Sequence, residues 1–190
     1  MTYTQLKEII TSRRSTFPSM YNDQDVTEED LHKLLEVALW APTHKKTEPW
    51  KFIVFRKDGL ERLSTELLRL YKKHTPPEKI SERKLKKLKT NPSKASAIIA
   101  ICVETNPDLL PEWEEIAATA MAVQNLWLAA TTLDIVGYWS SPRDIIHLNE
   151  FLSLTQNQKC LGFFYLAKTD HQEFPARERQ PLDSKLEWID

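Results

Sequence analysis

Scarcity of glycine constrains this chain more than any other feature. Only Gly59, Gly137 and Gly162 occur in 190 residues, where average usage would supply roughly thirteen. Neither a GxGxxG turn nor a GxxxxGK[ST] loop can be written with them. Any phosphate the protein holds must therefore be met by side-chain cations or helix ends, not by a glycine-rich backbone cradle.

The rest of the composition is that of a globular chain, 41% hydrophobic and 28% charged. A chain of this length buries about 70% of the surface its unfolded form exposes, so it can fold without disulfides or metals. Cys102 and Cys160 are too far apart for a CxxC pair and too few for a Cys-rich zinc site, which suits a reducing, cytoplasmic setting. A formal net charge of -1 offers no whole-molecule field for nucleic acid or an anionic membrane. Residues 1–10 contain Lys7 and Glu8 and no apolar run, so no signal peptide is expected. Residues 116–133 carry no charge, a length close to a bilayer span. Thr119, Gln124, Asn125, Thr131 and Thr132 lower the hydropathy of that stretch, which predicts a helix buried in protein.

Periodicity predicts a short amphipathic helix over 3–12, with Leu6, Ile9 and Ile10 on one face, ending near Arg13-Arg14-Ser15. Thr27 and Asp30 form a capping-box pattern ahead of Leu31, Leu34, Leu35 and Ala38, giving a helix to about Trp40 that Pro42 stops. Trp50–Phe55, Ala97–Val103, Ile135–Ser140 and Cys160–Ala167 read as buried strands. Asp58 opens a helix to about His74. Residues 75–92 change character: six cations face one anion between Lys79 and Lys89, which predicts an exposed helix or lid. Glu112, Glu114 and Glu115 suit the first turn of the long helix that follows Pro111, and no His or Asp stands at ligand spacing to make them a metal site. Ser141-Pro142 reads as an N-cap and first-turn proline, giving a helix to about Leu152. No linker divides residues 1–190, so a single domain with helices on both sides of a sheet is expected.

Two constellations carry chemistry. Arg13, Arg14 and Ser15 combine two guanidiniums and a hydroxyl, a set able to clasp phosphate; the same arginines also suit the negative end of a helix dipole. The second is the loop Ala41-Pro42-Thr43-His44-Lys45-Lys46-Thr47-Glu48-Pro49-Trp50, held by proline at both ends, in which His44 either donates to a ligand carbonyl or caps the preceding helix.

Taken in order, RRS near the start and APTHKKTEPW leading into a hydrophobic strand resemble the R-[RH]-S and AP-x(4–5)-QPW motifs of the flavin-dependent nitroreductase family. The likeness is strongest to its branch of small bacterial NAD(P)H nitroreductases. It continues through the turn Gly137-Tyr138-Trp139-Ser140-Ser141, the strand Gly162-Phe163-Phe164-Tyr165-Leu166 and the tail Arg177-Glu178-Arg179-Gln180-Pro181-Leu182. This resemblance implies an α+β, three-layer sandwich with a mostly antiparallel central sheet flanked by helices. It also implies an obligate homodimer with FMN at the subunit interface, and a tail over about 168–190 that reaches the partner. By position, Arg13, Arg14 and Ser15 match phosphate and ribityl contacts, Arg179 and more weakly Arg177 match a C-terminal phosphate cation, Trp40 and His44 match flavin contacts, and Trp139, Ser140 and Ser141 match a later flavin-binding turn. The implied reaction passes a hydride from NAD(P)H to FMN and then, in a ping-pong cycle, reduces a small electrophile such as a nitroaromatic or quinone. No side-chain nucleophile is required, because the flavin is the redox agent.

The chain departs from the family pattern at Phe17, where a basic residue is usual, and at Lys46 and Glu48, where asparagine and glutamine are usual. Lys46 or Lys45 is a candidate to replace the missing cation at the flavin's pyrimidine edge. Two alternatives stand beside this reading: a module that uses the 79–89 run to bind nucleic acid or another anionic partner, and a family member that binds flavin without turning over.

Overall fold

The computed structural model describes residues 1–171, 174 and 178–189. Helix α1 spans Tyr3–Ser12, opened by a reciprocal capping box between Thr2 and Gln5. The predicted Thr27–Asp30 box opens α2, Glu28–Ala38, which ends two residues before the expected Trp40 as the chain tightens into a final turn. Strand β1 (Trp50–Phe55) leads to α3 (Asp58–His74) and α4 (Glu82–Lys94), then β2 (Ala97–Glu104), α5 (Glu112–Thr132), β3 (Val136–Ser140) and β4 (Gln158–Ala167).

All strand pairs are antiparallel and the order is β1-β2-β4-β3, so β3 is an edge strand. Alternation along β2 sends Ile99 and Ile101 to one face of the sheet and Ile98, Ala100 and Cys102 to the other. The first face packs on Leu31, Leu34 and Ala38 of α2 and on Ala118, Ala122, Val123 and Leu126 of α5. The second packs on Leu60, Leu63, Leu67 and Leu70 of α3. Three layers result, as expected. No helix among the described residues is long and apolar enough to cross a membrane, and the uncharged stretch at 116–133 lies in α5, whose inner face is core.

One expected element is absent. Instead of a helix from Pro142 to Leu152, the chain makes a 3-10 turn at Ile145–His147 and a series of turns that ends at Ser153, where φ is 51°. Leu148 and Leu152 have helical spacing and both reach the core, but the β-branched pair Ile145-Ile146 and the turn-forming Asn149 interrupt continuous helix.

Of the two readings for the basic segment, exposed helix or lid, the structure shows the helix. Helix α4 runs through Pro92, which lacks the N–H that would satisfy the Leu88 carbonyl. Ser64 of α3 supplies the missing donor, its hydroxyl donating to Leu88 O at 3.0 Å and Lys89 O at 3.2 Å. The helix is thereby pinned to α3 while its cations stay exposed. Ser64→Ala should cost about 1–2 kcal/mol by leaving that carbonyl unpaired and should raise amide hydrogen exchange selectively over 82–94; chemical denaturation and exchange mass spectrometry check both.

Candidate functional site

The first candidate cluster forms where α1 meets the sheet edge. Ser15 makes a parallel bridge to Gly137, and Thr16 N–H donates to Gly137 O at 3.0 Å. Only glycine fits at 137, because a Cβ there would lie 2.1 Å from the Tyr165 carbonyl oxygen. Thr16 is fully buried, and the Tyr21 hydroxyl donates to its carbonyl at 2.9 Å. Immediately before this clamp, the Arg13 guanidinium lies 4.2 Å above the Trp127 ring of α5, a cation–π contact that holds a charge at the edge of the core. Arg14 has a different job: its Nη1 donates to the carbonyls of Thr11, Ser12 and Arg13 at 2.5, 2.9 and 3.1 Å. Arg14 thus closes the C-terminus of α1, the helix-end role that the sequence left open, while its Nε is buried without a hydrogen-bond partner. The Ser15 side chain is exposed.

Trp139, Ser140 and Ser141 continue from the same strand. The Trp139 indole is half-buried against the α5-side core, and its Nε1 donates to Leu161 O at 3.4 Å. The Ser141 hydroxyl donates to the same oxygen at 3.3 Å. Leu161 is the extra residue of a bulge, since Ile101 pairs with Gly162 and Cys102 with Cys160. A Cβ on Gly162 would sit 2.0 Å from Trp139 Nε1, so this glycine makes room for the indole.

The second cluster is the proline-bracketed loop. His44 Nδ1 is 2.6 Å from Glu114 Oε2, and Lys45 Nζ donates to Leu109 O at 3.1 Å, so the loop docks on the start of α5. Lys45, Lys46 and Glu48 have φ of 51°, 58° and 44°, left-handed backbone that costs a non-glycine residue about 1–2 kcal/mol each. Thr43 stabilises the loop by accepting from Glu48 N–H at 3.1 Å and meeting the Thr47 hydroxyl at 3.2 Å. Such clustered strain marks functional loops. Trp40, just ahead, is 83% exposed, and Lys46 is exposed. The acids at the start of α5 are all engaged: Glu112 with Lys159 at 2.7 Å, Glu114 with His44, and buried Glu115 accepting from Asn106 N–H at 2.7 Å. Among the described residues no group of three potential ligands is placed to hold a metal.

One chain does not bring these clusters together. Arg13 contacts Trp127 and His44 contacts Glu114; thirteen residues of helix separate those contacts, about 20 Å at 1.5 Å per residue. Arg179 is exposed and donates to its neighbour Glu178 O. Arg177 lies outside the described residues. Sequence reasoning missed Glu114 and the role of Trp127, whose positions relative to His44 and Arg13 are set by packing. It also missed the tilted contact of Phe17 with Tyr138, with centroids 4.9 Å apart, where the aromatic replacement at 17 was the available signal.

Burial raises the Tyr21 and Tyr165 hydroxyls above the ordinary tyrosine value of 10.0. The folded state therefore keeps protons that the unfolded chain loses. Stability is full below about pH 10 and falls above it, each withheld proton adding about 1.4 kcal/mol per pH unit to the slope; far-UV circular dichroism during alkaline titration measures this, with Tyr21→Phe reducing the slope. Gly162→Ala should expel Trp139 from its seat, cost about 1–3 kcal/mol by overpacking, and change the near-UV circular dichroism.

Comparison with known proteins places this geometry in context. The model of the nitroreductase family matches residues 10–168. A Bacillus subtilis protein named Putative NAD(P)H nitroreductase YfhC is 29% identical over 185 residues, covering 95% of this chain and 92% of that protein. The crystal structure of a nitroreductase-like family protein from Bacillus cereus superposes with a TM-score of 0.86 at 27% identity, covering 100% of this chain and 98% of that one. A Desulfovibrio desulfuricans protein described as a putative nitroreductase in complex with FMN shares the fold with a TM-score of 0.71 at 21% identity, covering 100% of this chain and 99% of that one. Since the family match takes in the RRS clamp, the strained loop and all four strands, the chain belongs to the nitroreductase family.

Proposed function

We propose that this protein is an NAD(P)H-dependent FMN oxidoreductase that works as a homodimer, with each flavin held between two subunits. The observation that carries the reading is the division of the candidate residues into two clusters at opposite ends of α5. A two-fold partner that packs along α5 would set the Trp40–His44–Lys46 end of one chain against the Arg13–Ser15 end of the other. The surface between the clusters suits such a partner. Helix α5 has no charge from Ile116 to Thr132, yet it exposes Met121, while Trp113 in its first turn is 68% exposed. Leu6 and Ile10 of α1, with Val37, Leu39 and Trp40 at the end of α2, are exposed beside it. Helix α1 buries no residue within the chain, so its apolar stripe awaits cover. Exposed apolar groups of this extent mark an association surface, and Leu182, Leu186 and Trp188 of the tail add to it.

The residues present fit FMN. Arg13, fixed over Trp127, and the exposed Ser15 hydroxyl supply phosphate donors without a glycine loop, and Arg179 from the tail would add a cation. Trp40 is a free aromatic wall, and His44 is a donor oriented by Glu114. When bound, the flavin supplies two-electron redox chemistry between NAD(P)H and a small electrophile such as a nitroaromatic or quinone. The chain's own part is to grip the phosphate, keep Trp139 and Ser141 in place through the Leu161 carbonyl, and shield the ring from water. The name borne by YfhC and the FMN complex of the Desulfovibrio fold neighbour support this reading.

Purified protein is expected to be yellow, dimeric by light scattering, and bleached by NAD(P)H without oxygen. Arg13→Met should weaken FMN binding at least tenfold, about 1.4 kcal/mol, in a fluorescence titration. A colourless protein that refuses added FMN, or a strictly monomeric one, overturns the proposal.

A further inference from the structure

The basic run at 79–89 is not among the residues assigned above to the flavin, and its placement suits another task. Two adjoining cavities, of about 520 Å³ and 580 Å³, share Leu67, Lys84, Leu88 and Pro142 and form one channel. Its inner end is aromatic, at Phe17 and Tyr138, whose rings meet at a tilt of 59°, and includes Ser140 of the candidate flavin turn. Lys84 and Lys87 line the wall, and Lys79 and Arg143 stand at the outer end. Among the described residues none of these four cations makes an ion pair. One carboxylate, Asp144, is in the lining. The wall is held in place, because Ser64 pins α4 at Leu88 and Lys89.

Like charges without ion-pair partners along one cleft repel one another and together attract an anion. An aromatic-lined end next to the candidate flavin turn and a cationic outer reach describe a ligand with an aromatic head and a polyphosphate tail. We propose that this channel takes the tail of the nicotinamide donor, and that Lys79, Lys84, Lys87 and Arg143 select NADPH over NADH. The charge balance supports the phosphorylated form. Four cations less Asp144 leave a net charge of about +3, more than the two negative charges of a pyrophosphate. A 2′-phosphate adds about 1.5 to 2 further negative charges and uses the excess. The proposal rests on the oxidoreductase reading above, and it makes the basic run a specificity element of that reaction.

Calorimetric titration of the FMN-loaded dimer with NADP⁺ and NAD⁺, and of the flavin-free chain with 2′,5′-ADP and 5′-AMP, tests it without turnover. Wild-type protein is expected to bind each 2′-phosphorylated ligand at least tenfold more tightly than its counterpart, with the preference shrinking as salt is raised. Lys84→Met with Lys87→Met, and separately Arg143→Met, should cut that preference to below threefold. These side chains are exposed, so loss of folding is not expected, and circular dichroism verifies it. Equal affinities in the wild type, or a preference that survives both variants, overturn the proposal. So does a mixed oligonucleotide that binds more tightly than NADP⁺ at the same salt and loses affinity in the same variants. If the chain fails to retain FMN yet selects 2′,5′-ADP through these lysines, the flavin reading falls and the anion selectivity stands; if it retains FMN and selects neither donor, the reverse holds.

Discussion

The candidate site depends on how the chain closes the open edge of its sheet. Strand β3 lies outermost, and the segment leaving α1 covers it at one point, where Ser15 bridges to Gly137 and Thr16 donates to the Gly137 carbonyl. That approach is possible only because residue 137 has no side chain to strike the Tyr165 backbone. From this contact follow the location of Arg13 over Trp127, the exposure of Ser15, and the position of Phe17 against Tyr138. In a chain with three glycines, two are spent within this edge: Gly137 admits the clamp and Gly162 admits the Trp139 indole.

Helix α5 is the second organising feature. Its inner face joins α2 to the sheet. Its first turn receives the strained loop through Glu114, with the Leu109 carbonyl just ahead of the helix, while its later turns carry Trp127 to Arg13. The same helix that separates the two clusters also presents uncharged surface between them, so what divides the site within a chain offers the surface to complete it between chains. Strain at Lys45, Lys46 and Glu48 is tolerated because Pro42, Pro49 and the Thr43 hydroxyl fix the loop at both ends and across its middle.

The opposite face of the sheet obeys different physics. There the leucines of α3 and the pinned helix α4 form a layer in which, among the described residues, the exposed cations of α4 make no ion pair while Arg69 of α3 pairs with Glu66. Proline inside α4 would ordinarily leave a carbonyl unsatisfied, and a single buried serine on α3 converts that defect into an attachment. The basic segment therefore has a defined orientation relative to Tyr138 and Ser140, which a solvated, freely moving helix would lack.

Local sequence determined what local physics controls. The capping pattern at Thr27, the leucine spacing of α3, the β-branched and aromatic runs of the strands, and the prolines around the 41–50 loop were all legible, because propensity and periodicity act over a few residues. The RRS and APTHKKTEPW segments were legible as a family resemblance, but not as a shared place. Strand order, the Leu161 bulge, the helix-closing role of Arg14 and the replacement of the 142–152 helix by turns came from tertiary packing, which weighs contacts between residues far apart in the chain. The contacts of His44 with Glu114 and of Arg13 with Trp127 are of the same kind: side-chain chemistry named the candidates, and only the folded α5 set the distance between them.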